Sequence, residues 1–188
     1  RPLVKYWLKK WEMINKEGWL ISAEKHFSPN FDQRPKNFEI KLIVIHNISL
    51  PPENFEPENV KKFFKNELDF KSHEFFQEIK NLKVSSHFLI DRTGKIYQFV
   101  SVFERAWHAG VSSFNNQENC NDFSLGIELI GSDNSSFEDN QYDSLENLIK
   151  ILRNNFPKIK KENIVGHSEI AAGRKTDPGP FFDWSKIR

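Results

Sequence analysis

The stretch Lys41-Leu42-Ile43-Val44-Ile45-His46-Asn47, KLIVIHN, decides the fold. Four consecutive aliphatic residues leave no polar face, the pattern of a strand covered on both sides. Alternation places His46 on the same face as Leu42 and Val44. His46 also stands at the carboxyl end of the strand, where α/β sheets present their ligands. Pro51-Pro52 ends regular structure soon after.

Downstream, residues 57–69 and 72–82 read as two helices split near Phe70 to Ser72. Residues 87–91 and 95–100 flank Arg92-Thr93-Gly94, a hairpin in which glycine supplies a positive φ. Residues 123–130 read as another strand. Residues 140–156 carry Tyr142, Leu145, Leu148, Ile149 and Leu152 as one helical stripe, ended by Pro157. Residues 163–167 read as a short strand, and 168–180 as mostly loop. Upstream, residues 26–39 read as loop, with Pro29 and Pro35 as breakers. Leu3, Trp7, Leu8, Trp11 and Ile14 stand at helical spacing between lysines. They predict a helix over 3–17 that lies on the domain and stops at Gly18; a membrane-surface role is its alternative. Strands alternate with helices around one hairpin. The fold class is therefore α/β, a single domain with a central mixed sheet and helices on both faces.

The bulk numbers agree. A chain of 188 residues fits one domain, and 18 Phe and 5 Trp supply much of a core. A net charge of +1 offers no field for nucleic acid or a membrane surface. No apolar run approaches the roughly 18 residues that span a bilayer. The one cysteine, Cys120, reads as a small buried hydrophobe, and nothing argues for an oxidising compartment. No basic-then-apolar export pattern opens the sequence. It begins at Arg1 rather than Met, so residues upstream bear on export.

Six histidines offer chemistry, at 26, 46, 73, 87, 108 and 167. His26 and His73 read as ordinary surface or core residues. His167 repeats the placement of His46, ending the strand NIVGH before a long polar loop. Two strand-end histidines can converge on one point, although spacing alone does not prove it. In GHSEIAAGRKTDPGP (166–180), Asp177 precedes a proline and is pushed to an extended conformation. An extended segment projects Lys175 and Asp177 from the same side. The pair reads either as a plain salt bridge or as a metal ligand with a cation held beside it. Two histidines and a carboxylate are a common catalytic zinc set that leaves a fourth position for water. Such a site needs a general base. Glu128, in the otherwise apolar strand SLGIELIG, is the candidate, because a carboxylate there is unfavourable unless paired or used. The alternative is an outward-facing strand residue.

VIHNISLPP (44–52), RAWHAGVS (105–112), CNDFSLGIEL (120–129) and GHSEIAAGRKTDPGP (166–180) together resemble the signature blocks of AmpD-type amidases. These are 1,6-anhydro-N-acetylmuramyl-L-alanine amidases of peptidoglycan recycling, within the wider zinc amidase and peptidoglycan-recognition-protein family. EGWLISA (17–23) resembles the start of that domain. The resemblance implies an amidase domain over 17–188 preceded by an N-terminal helical extension over 1–16.

It further implies Zn(2+) on His46, His167 and Asp177, with Glu128 as catalytic glutamate and Lys175 as oxyanion-stabilising lysine. Asn47, Trp107, His108 and Arg174 would line the substrate groove. The implied reaction hydrolyses the amide between (anhydro-)N-acetylmuramic acid and L-alanine of the stem peptide. The implied partner is a small muropeptide, and a cytoplasmic monomer is expected. Lys83 and Asn119 stand where the family tends to carry arginine, which bears on the grip on the muramyl group. The rival readings are an envelope-located amidase acting on intact wall and a non-catalytic peptidoglycan-binding module.

Overall fold

A computed structural model describes residues 13–188. A six-stranded mixed sheet forms the centre. Its strands are β1 (Glu24–Lys25), β3 (Leu42–Ile48), β4 (Phe88–Ile90), β5 (Ile96–Gln98), β9 (Ser124–Ile130) and β10 (Ile164–Gly166). They run in the order β1-β5-β4-β9-β3-β10, and every neighbouring pair is parallel except the β4–β5 hairpin. β2 (Phe31–Gln33) pairs antiparallel with β6 (Glu104–Ala106), and β7 (Ser113–Phe114) with β8 (Gln117–Glu118). The helices are α1 (Glu58–Phe64), α2 (Phe76–Ile79), α3 (Asp139–Asn155) and α4 (His167–Ile170). The mixed α/β sheet read from the sequence is the observed fold.

The two faces of the sheet are built differently. Ile43 and Ile45 of β3, Phe88 and Ile90 of β4, and Leu125, Ile127 and Leu129 of β9 bury against Leu145, Leu148, Ile149 and Leu152 of α3. Each such side chain stabilises by about 1.5–3 kcal/mol through removal of apolar area from water. A capping box between Glu138 and Gln141 starts α3. The fully buried Gln141 then donates to Ile130 O at 2.9 Å and Ile90 O at 3.3 Å, tying the helix to two strand ends. On the opposite face, α1 and α2 cover Leu89, Tyr97, Phe99 and Ile130, while Ile170 of α4 covers Leu42, Val44 and Val165. Between these two apolar clusters stand His46 and Glu128.

Several expectations about local structure are corrected. The helix expected over 3–17 lies mostly outside the described residues, and its last part, 13–17, is a turn. Ile14 there bridges Leu20, and the Asn15 carboxamide accepts from the N–H of Glu17 and Trp19. Gly18, at φ 89°, closes the turn against Ser101, whose Oγ a Cβ there would strike. The loop expected over 26–39 contains β2, because Asp32 is drawn to Arg105 of β6 by two 2.6 Å bonds. The helix expected over 57–69 ends at Phe64. Asn66 exchanges two side-chain hydrogen bonds with Asn30 and adopts φ 60°, outside the helical region. Of 72–82, only Phe76–Ile79 is helical. His167 does not end a strand, since it opens the turn of α4 after the extended Gly166.

Candidate active site

His46 and Glu128 are directly opposite each other in the parallel β3–β9 register. Both side chains therefore emerge on the same face, with His46 Nδ1 3.9 Å from Glu128 Oε1. β10 lies on the other side of β3, and its last residue, Gly166, aligns with Ile45. That register delivers His167 beside His46, with ring centroids 4.5 Å apart. Gly166 leaves room for the close approach of Pro178, which a Cβ would meet at 2.8 Å.

Asp177 comes from a loop that is not extended as expected. Arg174 N and Lys175 N both donate to Ala171 O, and Gly179 N donates to Thr176 O, so the segment runs through two tight turns. Gly173 and Gly179, at φ 79° and 87°, make these turns accessible. Asp177 still reaches inward. Its Oδ2 lies 2.9 Å from His46 Nδ1 and its Oδ1 3.2 Å from His167 Nδ1. One ligand atom from each of His46, His167 and Asp177 can be chosen so that all lie within 4.8 Å of one another. This compact set of two imidazoles and one carboxylate suits a zinc-sized cation.

Electrostatics sharpen the picture. Glu128 is 8% exposed, and its Oε2 has no hydrogen-bond partner. Burial, and then the nearby Asp177 carboxylate, push its carboxyl well above the ordinary 4.5. For Asp177, burial pushes upward, but the imidazoles of His167 and His46 beside it outweigh that and hold the carboxyl below the usual range. Burial lowers the His46 imidazole. The two carboxylates, in one small site, are thus driven apart, Asp177 downward and Glu128 upward.

These groups line a cleft of about 560 Å³. Lys175, Asn47 and Arg174 border it, and Phe63, Phe75, Ile79 and Leu82 form an apolar wall. Asn47 and Arg174 are at the same time tied to neighbouring segments. Asn47 Nδ2 donates to Asp133 Oδ1 (2.6 Å) and Pro178 O (3.0 Å), and Arg174 donates to Ala109 O and Val111 O (2.7 Å each). Trp107 is not brought into the cleft; its indole N–H donates to Asp32 Oδ1 at 3.2 Å. His108 borders the cleft but is 8% exposed and packed behind His46. Gly126 makes this possible, because a Cβ would meet the His108 ring at 2.6 Å.

Sequence reasoning missed Asp133, which accepts from Asn47 and from Thr176 Oγ1 and so holds the Asp177 loop. It also missed Asn121 and Ser124, which support His108. A signal for part of this existed. Ser124, Gly126 and Glu128 recur every second residue in an otherwise aliphatic strand, marking one face as non-core.

A buried glutamate with an unpartnered oxygen, beside three side chains able to hold a metal ion and at the floor of an open cleft, is an arrangement suited to metal-assisted hydrolysis. More specifically, the chain belongs to the N-acetylmuramoyl-L-alanine amidase family, which matches residues 36–180. It is 49% identical over 170 residues to 1,6-anhydro-N-acetylmuramyl-L-alanine amidase AmpD of Haemophilus influenzae, covering 90% of this chain and 92% of the relative. A crystal structure of a selenomethionine AmpD derivative superposes with a TM-score of 0.90 at 46% identity, covering 94% and 98% of the two chains. The AmiD amidase of Escherichia coli, solved with anhydro-N-acetylmuramic acid-L-Ala-D-γ-Glu-L-Lys, has a TM-score of 0.58 at 31% identity, over 82% of this chain and 59% of that one.

Proposed function

We propose that this amidase holds one zinc ion on His46, His167 and Asp177 and uses Glu128 and Lys175 as its catalytic side chains. The bond cleaved is the amide between 1,6-anhydro-N-acetylmuramic acid and the L-alanine of a peptidoglycan stem peptide, in cell-wall recycling. The observation that carries this reading is the convergence of the three donors within 4.8 Å beside the buried, unpartnered oxygen of Glu128.

A bound zinc ion supplies an acidified water and polarisation of the scissile carbonyl. Glu128 takes the proton of the attacking water and passes it to the departing amine. Its raised proton affinity, caused by burial, fits a group that must both accept and return a proton. The Lys175 ammonium, bordering the cleft, balances the negative charge that develops on the tetrahedral oxygen. Asn47 and Arg174 steady the walls against which the muramyl peptide is held. The substrate is a small soluble muropeptide, a class supported by the AmiD complex. The reading includes a monomer working in the cytoplasm; among the described residues, no helix is long and apolar enough to cross a membrane.

The test is product analysis by mass spectrometry on anhydro-muropeptide and on intact sacculi, with and without a chelator, alongside elemental analysis of the protein. Release of stem peptide far faster from the soluble substrate, one zinc per chain and loss of activity on chelation are expected. Comparable rates on both substrates defeat the recycling assignment, and undiminished activity without metal defeats the zinc assignment.

A further inference from the structure

The two histidine donors share a feature that their role as ligands does not explain. Each turns Nδ1 toward Asp177 and Nε2 toward the same short segment, His108-Ala109. His46 Nε2 lies 2.9 Å from His108 Nδ1, the two rings standing at 88° to each other. His167 Nε2 lies 2.8 Å from Ala109 O. A carbonyl oxygen only accepts, so His167 carries its proton on Nε2. The segment itself is pinned. Asn121 Oδ1 accepts from His108 N at 3.1 Å and Ala109 N at 2.9 Å, and His108 Nε2 meets Ser124 Oγ at 3.1 Å. Arg174 Nη2 joins Ala109 O at 2.7 Å, linking the segment to the loop that carries Lys175 and Asp177.

We infer that His108 and Ala109 form an acceptor shelf that fixes both histidine donors in the Nε2–H tautomer, with Nδ1 bare for the metal, and that His108 is a positioning residue rather than a substrate contact. The inference rests on the zinc reading above. Both ring nitrogens of His108 are engaged, one by His46 and one by Ser124, so neither is left to recognise a ligand. The chain of bonds has one consistent direction when Nδ1 of His46 bears no proton. His46 Nε2–H then donates to His108 Nδ1, and His108 Nε2–H donates to Ser124 Oγ. Orienting partners of this kind typically change metal affinity by about 10–100-fold. Gly126 belongs to the device, because any side chain there would displace the His108 ring.

The experiment measures zinc affinity by chelator competition in wild type, His108→Leu, His108→Asn and His46→Ala. Melting temperatures of the metal-free forms are measured in parallel. His108→Leu removes the acceptor and should weaken zinc about 10–100-fold. His108→Asn offers Oδ1 in place of Nδ1 and should recover most of that loss. Wild-type affinity in His108→Leu, or equal losses in both variants, overturns the inference while leaving the metal site standing. Wild-type affinity in His46→Ala defeats the zinc reading itself, which is a different result. A second measurement needs no variant: in zinc-loaded, ¹⁵N-labelled wild type, nitrogen–nitrogen coupling across the His46–His108 hydrogen bond is expected, with the proton on His46 Nε2. Its absence, or a proton on Nδ1 of His108, overturns the inference.

Discussion

The two faces of β9 differ in what they do with burial. Leu125, Ile127 and Leu129 point at α3 and are wholly enclosed by apolar neighbours. One residue out of phase, Ser124, Gly126 and Glu128 are also buried, yet none contributes a hydrophobic side chain. The first face stabilises the fold through area removed from water. The second gives up that stabilisation to seat the His108 ring against the backbone of Gly126 and to set a carboxylate at the floor of the cleft. Burial alone therefore says little about purpose; what is buried, and whether it has a partner, separates core from site.

The largest effect expected on the polar face is loss of the metal. His46→Ala, His167→Ala and Asp177→Ala should each abolish both zinc binding and amidase turnover, while the α3 face keeps the chain folded. Elemental analysis and circular dichroism check this, and full zinc occupancy in any one variant removes that residue from the ligand set.

Glu128→Gln comes next. It should retain zinc and lose about 10²–10⁴-fold in kcat, because the amide cannot take the water's proton. Lys175→Met should also retain zinc and lose on the order of 10²–10³-fold, the usual consequence of removing one oxyanion donor. Both losses should fall on kcat rather than KM. Steady-state kinetics with zinc content measured on the same preparations decide the matter. A near-normal kcat in zinc-loaded Glu128→Gln would make that face of β9 merely structural.

On the apolar face the response should invert. Ile127→Ala should lower stability by about 2–5 kcal/mol through the cavity it leaves, while zinc affinity and kcat of the folded protein stay close to wild type. Denaturant titration and kinetics test the pair. A fall in zinc affinity as large as the fall in stability would show that the faces are coupled.

The smallest effect is in pH. Glu128 binds its proton more tightly in the folded protein than at the ordinary 4.5. Such a group contributes stability below the unfolded value and loses it as pH rises through the folded one. Metal-free wild type should therefore lose stability relative to metal-free Glu128→Gln as pH rises from about 4 toward neutrality. Melting curves of the two metal-free proteins across that range test it, and a constant difference would contradict the burial of an ionisable group there.

Much of this was legible in the residues. The period of β3, β9 and α3 is a local property, written in side-chain hydrophobicity, so strands, stripe and fold class could be read directly. The donor types and the cleft's conspicuous carboxylate were equally visible, because a glutamate within an aliphatic strand departs from its surroundings. Element ends were less legible. Asn66 is drawn out of α1 by Asn30, 36 residues away, and Asp32 is drawn into β2 by Arg105, 73 residues away; no local window contains either partner. The placing of residues within the site followed the same rule. His108 does border the cleft, as expected, but its bonds to His46 and Ser124 were not legible, and Asn121 and Asp133 looked like nothing in particular, since their partners lie in other segments of the chain. The sequence by itself determined the periodicities and the chemical kinds of donor. Only the tertiary structure decided that His46 and Glu128 share a register, that two histidines turn the same nitrogen inward, and that one short segment receives the other nitrogen of both. Hydrophobic pattern acts between neighbours in sequence, whereas hydrogen-bond geometry is settled only when distant backbones are brought within about 3 Å.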